Sequence, residues 1–476
     1  MAASNTSDSS ERAGYIAGNH FGLGLRPGEL RYINSDPRGW LKSQLDDIEN
    51  LPASLQALPD SSSALIADGN WRRERRDLMQ QGGQAAVMEA QRNKNVTDNK
   101  IFQQNNSLRL QATVDSRQPF AERLLRFWSN HFTVAVSGGT KAVLRRIALP
   151  YENEAIRSKL GGDFESLLLS VEQHPAMLIY LDNDSSFGPN SPAGRRRDRG
   201  LNENLAREIL ELHTLGVDAG YTQADVTSLA KMITGWTVMR QELGGRGRNP
   251  GKLGEFRFLA PAHEPGQHSL LGKDYRANGE RQGEAALVDV AHHPATARHV
   301  ATRLVSHFVA DTPPPSAIDK IATVFMESEG SLPALHAAVV DLDEIWQGEY
   351  RKLKTPEELI ISTLRAMNLN TQNSGSTQVF NAMSNTLRVF NHLPFTATSP
   401  AGWPDEAEHW GSPDALVKRI EWVNQITGNF GNRVDPEQLA TEILPENESL
   451  QLALRRAESS SQAMALLLAS PDFQWR

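Results

Sequence analysis

The stretch that decides the fold runs from Phe120 to Val238. It contains three segments of helical character: FAERLLRFWSNHF (120–132), FESLLLSVEQHPAMLIYLDN (164–183) and NENLAREILELHTLGVDAGYTQADV (202–226). In the first segment Phe120, Leu124, Phe127 and His131 recur on one face of a helix. The sequence therefore predicts a mainly α-helical protein with a multi-helix core.

The same stretch carries many Asn, Glu, His and Arg residues inside segments with the pattern of buried helices. Burial of polar and ionisable groups costs free energy unless the groups are paired. We therefore expect residues 120–238 to hold either a functional site or a tightly connected internal network.

The remaining sequence is divided by composition. Residues 1–12 are polar and are predicted to be disordered, and residues 13–476 form one helical unit. In that unit, a small β-hairpin insertion is predicted at about 244–283, where GEFRFLAP pairs with HSLLGKDY, and a C-terminal helical half at 284–476. The polar, glycine-rich segment 182–200 is predicted to be a long loop.

Composition excludes several classes of function. The net charge of -8 argues against general nucleic-acid binding, and no apolar run is long enough for membrane insertion. The chain has no cysteine, which excludes iron–sulfur clusters and c-type haem attachment. The first residues do not resemble a secretory signal, so a cytoplasmic location is the default expectation.

Several segments together resemble a bacterial family, the domain of unknown function 1800. They follow one another along almost the whole chain: HFGLGLRPGE, RFWSNHFTV, HPAMLIYLDN, RGLNENLAREILELHTLGVDAGYTQADV, TGWTV, HEPG with LLG, HPATARHVATRLVSHFVAD, KTPEEL, SPAGWPD and LLLASPDFQ. The resemblance implies a bacterial, largely helical protein of one family-length unit. It brings no established activity or catalytic residue.

Genes of this family commonly lie beside those of the domain of unknown function 1501, whose members resemble sulfatases and often carry export signals. The resemblance thus implies a DUF1501-type protein as a partner. It also leaves export together with that partner as the alternative to a cytoplasmic location.

Three polar residues follow the apolar stripe of the helix predicted at 202–215. Asn204, Glu208 and Glu211 are spaced so that their oxygens converge on one cation or one substrate hydroxyl. A divalent metal with oxygen and nitrogen ligands is therefore the cofactor that these residues predict. Alternatively, both glutamates form a salt-bridge ladder with arginines such as Arg123, Arg126 or Arg207.

Four arginines, Arg195, Arg196, Arg197 and Arg199, precede the predicted helix start at Asn202. Free backbone N–H groups at a helix start favour anions, and guanidinium groups bind phosphate, sulfate or carboxylate. The five residues are therefore candidate substrate-binding residues, and a solvated surface loop is the alternative.

Histidines supply the candidate acid–base groups. His131 lies on an apolar helix face, where a core histidine with satisfied hydrogen bonds is the alternative to a catalytic role. His263 and Glu264 lie at the turn of the predicted hairpin, as a mobile lid or as an ordinary surface turn. His174 and His293 each precede a proline and are expected to cap helices.

Two classes of function stay open. In the first, the protein is an enzyme or enzyme subunit acting on an anionic substrate, assisted by a metal at Asn204, Glu208 and Glu211, with His131, His263 and Glu264 as catalytic candidates. In the second, it is a non-catalytic partner or scaffold for the DUF1501-type protein, and its polar core is structural.

Residues 195–199, here called the arginine segment, allow a direct test of anion binding. If it binds an anion, sulfate or phosphate raises the melting temperature more than chloride at matched ionic strength. The double change Arg197→Ala with Arg199→Ala then removes most of that difference. Equal stabilisation of the original and changed proteins would show that the arginines form a solvated surface.

Overall fold

The structure is a computed structural model that describes residues 12–136, 138–197, 200–217, 219–239, 252–348, 351–369 and 377–476. Residues 1–11 of the predicted disordered N-terminus lie outside the described residues. The longer α-helices are Ser61–Asp115, Pro119–His131, Leu144–Tyr151, Phe164–Glu172, Gln223–Met232, Arg281–Ala291, Pro294–Phe308, Pro315–Glu327, Leu332–Val340, Pro356–Ala366, Thr377–Val389, Pro413–Phe430, Pro436–Ile443, Glu448–Arg455 and Ser460–Ala469.

Shorter elements connect these helices. The short α-helices are Leu30–Ile33, Pro37–Lys42, Pro175–Tyr180, Pro192–Arg197, Asn204–Glu208, Asp343–Trp346, Ala407–Trp410 and Pro471–Gln474. The π-helical turns are Ile16–Phe21, Glu152–Ile156 and Ile209–His213, and the 3₁₀ turns are Ser43–Leu45, Ala53–Leu55, Gly139–Lys141, Arg157–Lys159, Asn183–Ser185 and Ala260–Ala262. The predicted mainly α-helical class is confirmed.

Local capping explains why many helices start where they do. The rings of His174 and His293 each accept a hydrogen bond from the backbone N–H two residues later, at 3.1 Å, so both predicted caps are confirmed. Thr222 and Asp225 form a capping box, and Thr355 forms a second one with Glu358.

The long helix Ser61–Asp115 is a helical hairpin. Gly83 interrupts it with a φ of 68°, a conformation that glycine adopts readily. The Lys94 ammonium lies 3.5 Å from a carboxylate oxygen of Asp68, whereas a straight helix would hold these residues roughly 39 Å apart. The chain therefore reverses at Gly83. Asn105 is buried inside the second arm.

Four short strands form two antiparallel pairs. Trp236–Val238 pairs with Phe256–Phe258, and His268–Leu270 pairs with Lys273–Tyr275. GEFRFLAP thus contains a strand as predicted, but HSLLGKDY contains two strands and not one, and the predicted pairing of the two segments is wrong. HSLLGKDY closes its own hairpin through Leu271 and Gly272, both at positive φ, and GEFRFLAP pairs with the strand after helix Gln223–Met232.

The buried apolar residues form one connected cluster along the described chain. In this cluster Phe120 makes edge-to-face contacts with Phe21 and with Phe308. A second aromatic group joins Trp128, Phe132, Phe164 and Phe325. Since both groups contact helix Pro119–His131, that helix lies in the middle of the core. The assignment of residues 13–476 to a single unit stays a prediction.

None of the described helices combines the length and apolar character that a membrane crossing requires.

Burial of histidines makes the fold sensitive to acid. Burial lowers the pKa of both His20 and His336 to about 3 and that of His392 to about 4. In the unfolded chain these rings take up protons below a pH of about 6.5. The contribution of each to stability is therefore complete above that pH and decreases as the pH falls toward the folded-state value.

The change His336→Gln tests this dependence. His336 accepts a hydrogen bond from the Trp128 indole at 2.9 Å, which a glutamine oxygen can replace. We expect the free energy of unfolding to fall less steeply between pH 7 and pH 5 in this variant, by about 2 kcal/mol over the interval. Urea denaturation at both pH values measures it. An unchanged slope would mean that His336 does not drive the acid sensitivity.

Candidate functional site

Helix Pro119–His131, here called the arginine helix, carries the polar centre of the protein. Its buried residues include Glu122, Arg123, Arg126 and His131 in addition to the apolar ones. The helix is therefore buried on almost every side, and its ionised groups must find partners from other elements.

Three arginines and three glutamates form the first ion-pair network. Arg109 donates to both oxygens of Glu152 at 2.9 Å, and it also contacts Glu357. Arg126 lies 3.5 Å from the same Glu357 oxygen and 3.3 Å from Glu122. Arg157 donates to the two oxygens of Glu122 at 3.0 and 3.3 Å. The network links the arginine helix to the second arm of the helical hairpin Ser61–Asp115, to the chain around residue 157 and to helix Pro356–Ala366.

The second network is centred on Glu358, which contacts both Arg123 and Arg476. Arg123 also donates to the carbonyl oxygen of Gly22, at 2.7 and 2.9 Å. Among the described residues, the two arginines form ion pairs with this carboxylate and with no other. Burial and neighbouring positive charge lower the pKa of Lys354 to about 7 and that of Arg123 to about 9, although the Glu358 carboxylate opposes both shifts.

A polar cavity of about 80 Å³ lies beside both networks. Its volume is several times what one buried water requires. Its lining comprises Leu23, Arg109, Arg123, Arg126, Phe127, Ser129, Asn130, Thr133, Val134, His307, Thr355, Glu357, Glu358, His392, Pro394, Phe395, Ala397, Trp403, Pro404 and Asp405.

One wall of the polar cavity is a histidine–aspartate pair. Nδ1 of His307 lies 2.8 Å from a carboxylate oxygen of Asp405. This nitrogen therefore carries the ring proton and donates a hydrogen bond to the carboxylate. Nε2 of His307 is buried and has no hydrogen-bond partner among the described residues. Burial lowers the pKa of His307, and the histidine holds the pKa of Asp405 well below its usual range despite burial. The pair is therefore a neutral imidazole beside an ionised carboxylate.

A separate histidine centre lies at the end of the arginine helix. The imidazole of His131 contacts the carbonyl oxygen of His213 at 3.1 Å, and that of His299 contacts the carbonyl of Leu212 at 2.9 Å. Both carbonyls belong to the π-helical turn Ile209–His213, whose wider turn disrupts the regular helical hydrogen bonds. The two rings thus donate to the end of this turn.

The histidine centre also contains a buried acid–base pair. Nδ1 of His213 lies 2.8 Å from Glu172, and both side chains are fully buried. Burial holds the pKa of His131 well below its usual value, so its ring is neutral. The contact of His131 is that of a core histidine with a satisfied hydrogen bond, and its catalytic role stays a prediction.

The predicted metal ligands lie on this side of the molecule. Asn204 is exposed, and Glu208 and Glu211 are half-buried. Burial raises the pKa of Glu208, and Glu211 adds to that shift. Neither glutamate forms an ion pair with another described residue, so the salt-bridge ladder is not formed. Arg207 pairs with Glu203, and the arginine-helix cations pair in the two networks described above.

Across the described parts of the chain, no group of three or more His, Asp or Glu residues could hold a metal ion. The metal role of Asn204, Glu208 and Glu211 stays a prediction.

Segment 182–200, which includes the arginine segment, is not one long loop, because it contains the short helix Pro192–Arg197. Arg195 and Arg196 are exposed, whereas the side chain of Arg197 and all of Arg199 lie outside the described residues. The following helix begins at Asn204, and Asn202 is not part of it. The side-chain oxygen of Asn202 accepts a hydrogen bond from the Asn204 N–H at 2.9 Å, so this N–H is not free to bind an anion.

His263 and Glu264 fasten the segment around residue 190 to the strands. Glu264 is buried and accepts hydrogen bonds from the backbone and the side chain of Asn190, at 2.8 and 2.6 Å. The ring of His263 contacts the carbonyl oxygen of Thr234 at 3.0 Å. These contacts describe a fixed turn, and the catalytic roles of both residues stay predictions.

The polar cavity is formed by residues that no sequence pattern singles out. Its carboxylates Glu357 and Glu358 follow Thr355 in a capping pattern, which explains acidic residues in a first helical turn without any site. Asp405 lies in a segment without regular structure, 98 residues from His307. The signal available in the sequence was an acidic pair at the start of a helix whose next residues, Leu359, Ile360 and Ile361, are apolar.

The chain was compared with known proteins in three ways. The model of a family described as "Protein of unknown function (DUF1800)" matches residues 16–475. Comparison with curated proteins gives no match, and comparison with solved structures gives none either.

Removal of one carboxylate tests the first network. We expect Glu122→Gln to lower the free energy of unfolding by about 3–5 kcal/mol, because Arg126 and Arg157 lose a buried partner. Asp319→Asn is the control, since it breaks an exposed pair with Arg298 that contributes at most about 1 kcal/mol. Urea denaturation compares the two variants. Equal losses would show that burial of the network does not amplify its contribution.

Proposed function

We propose that this chain, which belongs to the DUF1800 family, is an enzyme or enzyme subunit that binds a small substrate with an anionic group in the polar cavity. The proposal places the substrate between the arginine helix, the first turn of helix Pro356–Ala366 and the segment around Asp405.

The observation that carries the proposal is the excess of positive charge at Glu358. Two buried arginines, Arg123 and Arg476, contact this one carboxylate, and Lys354 is close enough for its pKa to respond to all three groups. Arginine stays protonated in proteins, so burial of this excess is unfavourable. Of these three cations, Arg123 lines the polar cavity, and a carboxylate, phosphate or sulfate group bound beside it would relieve the excess.

Orphaned polar atoms on the cavity wall support the same proposal. Nε of Arg126 is a buried donor that lies 3.5 Å from the Glu357 carboxylate in an ion pair and forms no hydrogen bond with a described residue. Nε2 of His307, the unprotonated nitrogen, is a buried acceptor without a hydrogen-bond partner among the described residues. Buried polar groups are normally satisfied by protein, water or ligand. A ligand with an anionic oxygen and a nearby hydroxyl or amine would satisfy both.

The His307–Asp405 pair supplies acid–base chemistry. Asp405 fixes the tautomer that leaves Nε2 as a proton acceptor, and the lowered pKa of His307 keeps that form at neutral pH. In this proposal His307 removes a proton from the substrate or from an attacking water. Arg126 and Arg123 hold the anionic group.

Anion-dependent melting tests binding. We expect phosphate or sulfate to raise the melting temperature by roughly 1 to 3 °C over chloride at matched ionic strength. Ala397→Leu fills the cavity without changing a charge, and should abolish this difference. Ala382→Leu on an exposed helix face is the control and should keep it.

The arginine segment provides the discriminating comparison. If Arg197→Ala with Arg199→Ala abolishes the anion effect while Ala397→Leu keeps it, the anion binds at that segment and the proposed cavity site is wrong.

Turnover tests the enzymatic part. Chromogenic phosphate, sulfate and carboxylate esters are the first substrates to assay, and His307→Gln should lower kcat by about 100-fold or more. The same variant should keep the anion-dependent rise in melting temperature. Equal turnover in the original and changed proteins would exclude His307 as the acid–base group.

A further inference from the structure

The two arms around Gly83 form a basic hairpin, defined here as residues 69–97. Most of its side chains are exposed, including those of Arg73, Arg75, Met79 and Met88. Its base is fixed to the body, because buried Asp98 contacts both Lys94 and Arg146, each at 2.6 Å. The basic hairpin is therefore an anchored projection whose outer part contributes little to the core.

The charge of the basic hairpin is opposite to that of the chain. Residues 69–97 contain six basic and three acidic residues, a formal charge of +3, whereas the whole chain carries -8. Two of these cations are paired at the base, Arg72 with Asp68 and Lys94 with Asp68 and Asp98. Arg73, Arg75 and Arg92 are exposed. Four of the cations lie in one run, RRERR, at 72–76. Such separation of charge does not arise from folding needs, because exposed charges contribute little to stability.

The tip of the basic hairpin is uncharged. Residues 78–88 read LMQQGGQAAVM, between Asp77 and Glu89. Met79 is 48% exposed and Met88 is 65% exposed, which places two flexible apolar side chains in solvent. Methionine adapts to irregular surfaces and is frequent at binding surfaces. Arginine and methionine are also enriched at protein–protein interfaces.

We propose that the basic hairpin docks on an acidic surface of a partner protein, with the arginine run against carboxylates and the uncharged tip in an adjoining depression. Complementary charge accelerates such an encounter and fixes its orientation. The proposal concerns a surface other than the polar cavity and does not depend on the proposed enzymatic function.

Nucleic acid fits the basic hairpin less well than protein. The residues outside the hairpin carry a formal charge of -11, because the whole chain carries -8 and residues 69–97 carry +3. A duplex long enough to extend beyond the hairpin would be repelled by that charge, whereas a short acidic patch on a partner protein would contact the hairpin alone.

A membrane surface also fits less well. Gln80, Gln81 and Gln84 are exposed at the tip beside Met79. Insertion of the tip into lipid would remove these amides from water without new partners. A protein surface offers hydrogen-bonding groups to the same amides.

Binding to a labelled polyglutamate peptide tests the proposal in the full chain, by fluorescence anisotropy at low salt. We expect Arg73→Glu with Arg75→Glu to weaken binding by about tenfold or more. The matched control is Arg276→Glu with Arg388→Glu, which makes the same change in net charge at two exposed arginines outside the hairpin. The control should weaken binding by less than about threefold. Circular dichroism checks that both variants keep their helical content.

Duplex DNA and phosphatidylserine vesicles are assayed with the same proteins. Tighter binding of either one than of polyglutamate would overturn the assignment to a protein partner. Equal loss in the hairpin and control variants, or no binding of polyglutamate by the original protein, would overturn the docking role of the hairpin.

Discussion

The rest of the structure depends on the pairing of buried arginines and glutamates around the arginine helix. Arg123 and Arg126 leave this helix toward Glu358 and Glu357, which lie in the first turn of helix Pro356–Ala366. A charge buried in this way is tolerated when its partner is present, and loss of one partner is strongly destabilising. The N-terminal and C-terminal parts of the chain are thus held in one relative position by electrostatics as well as by apolar packing.

The same constraint shapes the polar cavity. Apolar residues could fill this space with an equal or more favourable free energy of folding, since buried ion pairs often stabilise a core no more than hydrophobic contacts of equal size. Here Phe127, Phe395 and Trp403 complete the wall, but arginines and carboxylates form much of it. A cost of this kind in the centre of a protein is typical of functional sites, where perturbed pKa values accompany binding and catalysis. For that reason we favour the polar cavity over the histidine centre.

The histidine centre shows how similar residues serve structure. His131 and His299 contact the last carbonyls of the π-helical turn Ile209–His213, which interrupts the helix predicted at 202–215. The turn changes the direction of Glu211 relative to Glu208, so the spacing of a regular α-helix does not apply to them. The basic hairpin has the reverse character, since most of its charged groups are exposed and only its base is tied to the body.

The sequence by itself determined the helical class, the starts of many helices and the exclusion of thiol chemistry. These features depend on residues within four positions of one another, as in the ring of His174 that caps its own helix. Only the tertiary structure decided which carboxylate each arginine contacts, because Arg123 and Glu358 are 235 residues apart. It also decided that the chain reverses at Gly83 and that two strands pair with unexpected neighbours. Local rules cannot determine these contacts, since they arise from the simultaneous packing of elements that are distant in the chain.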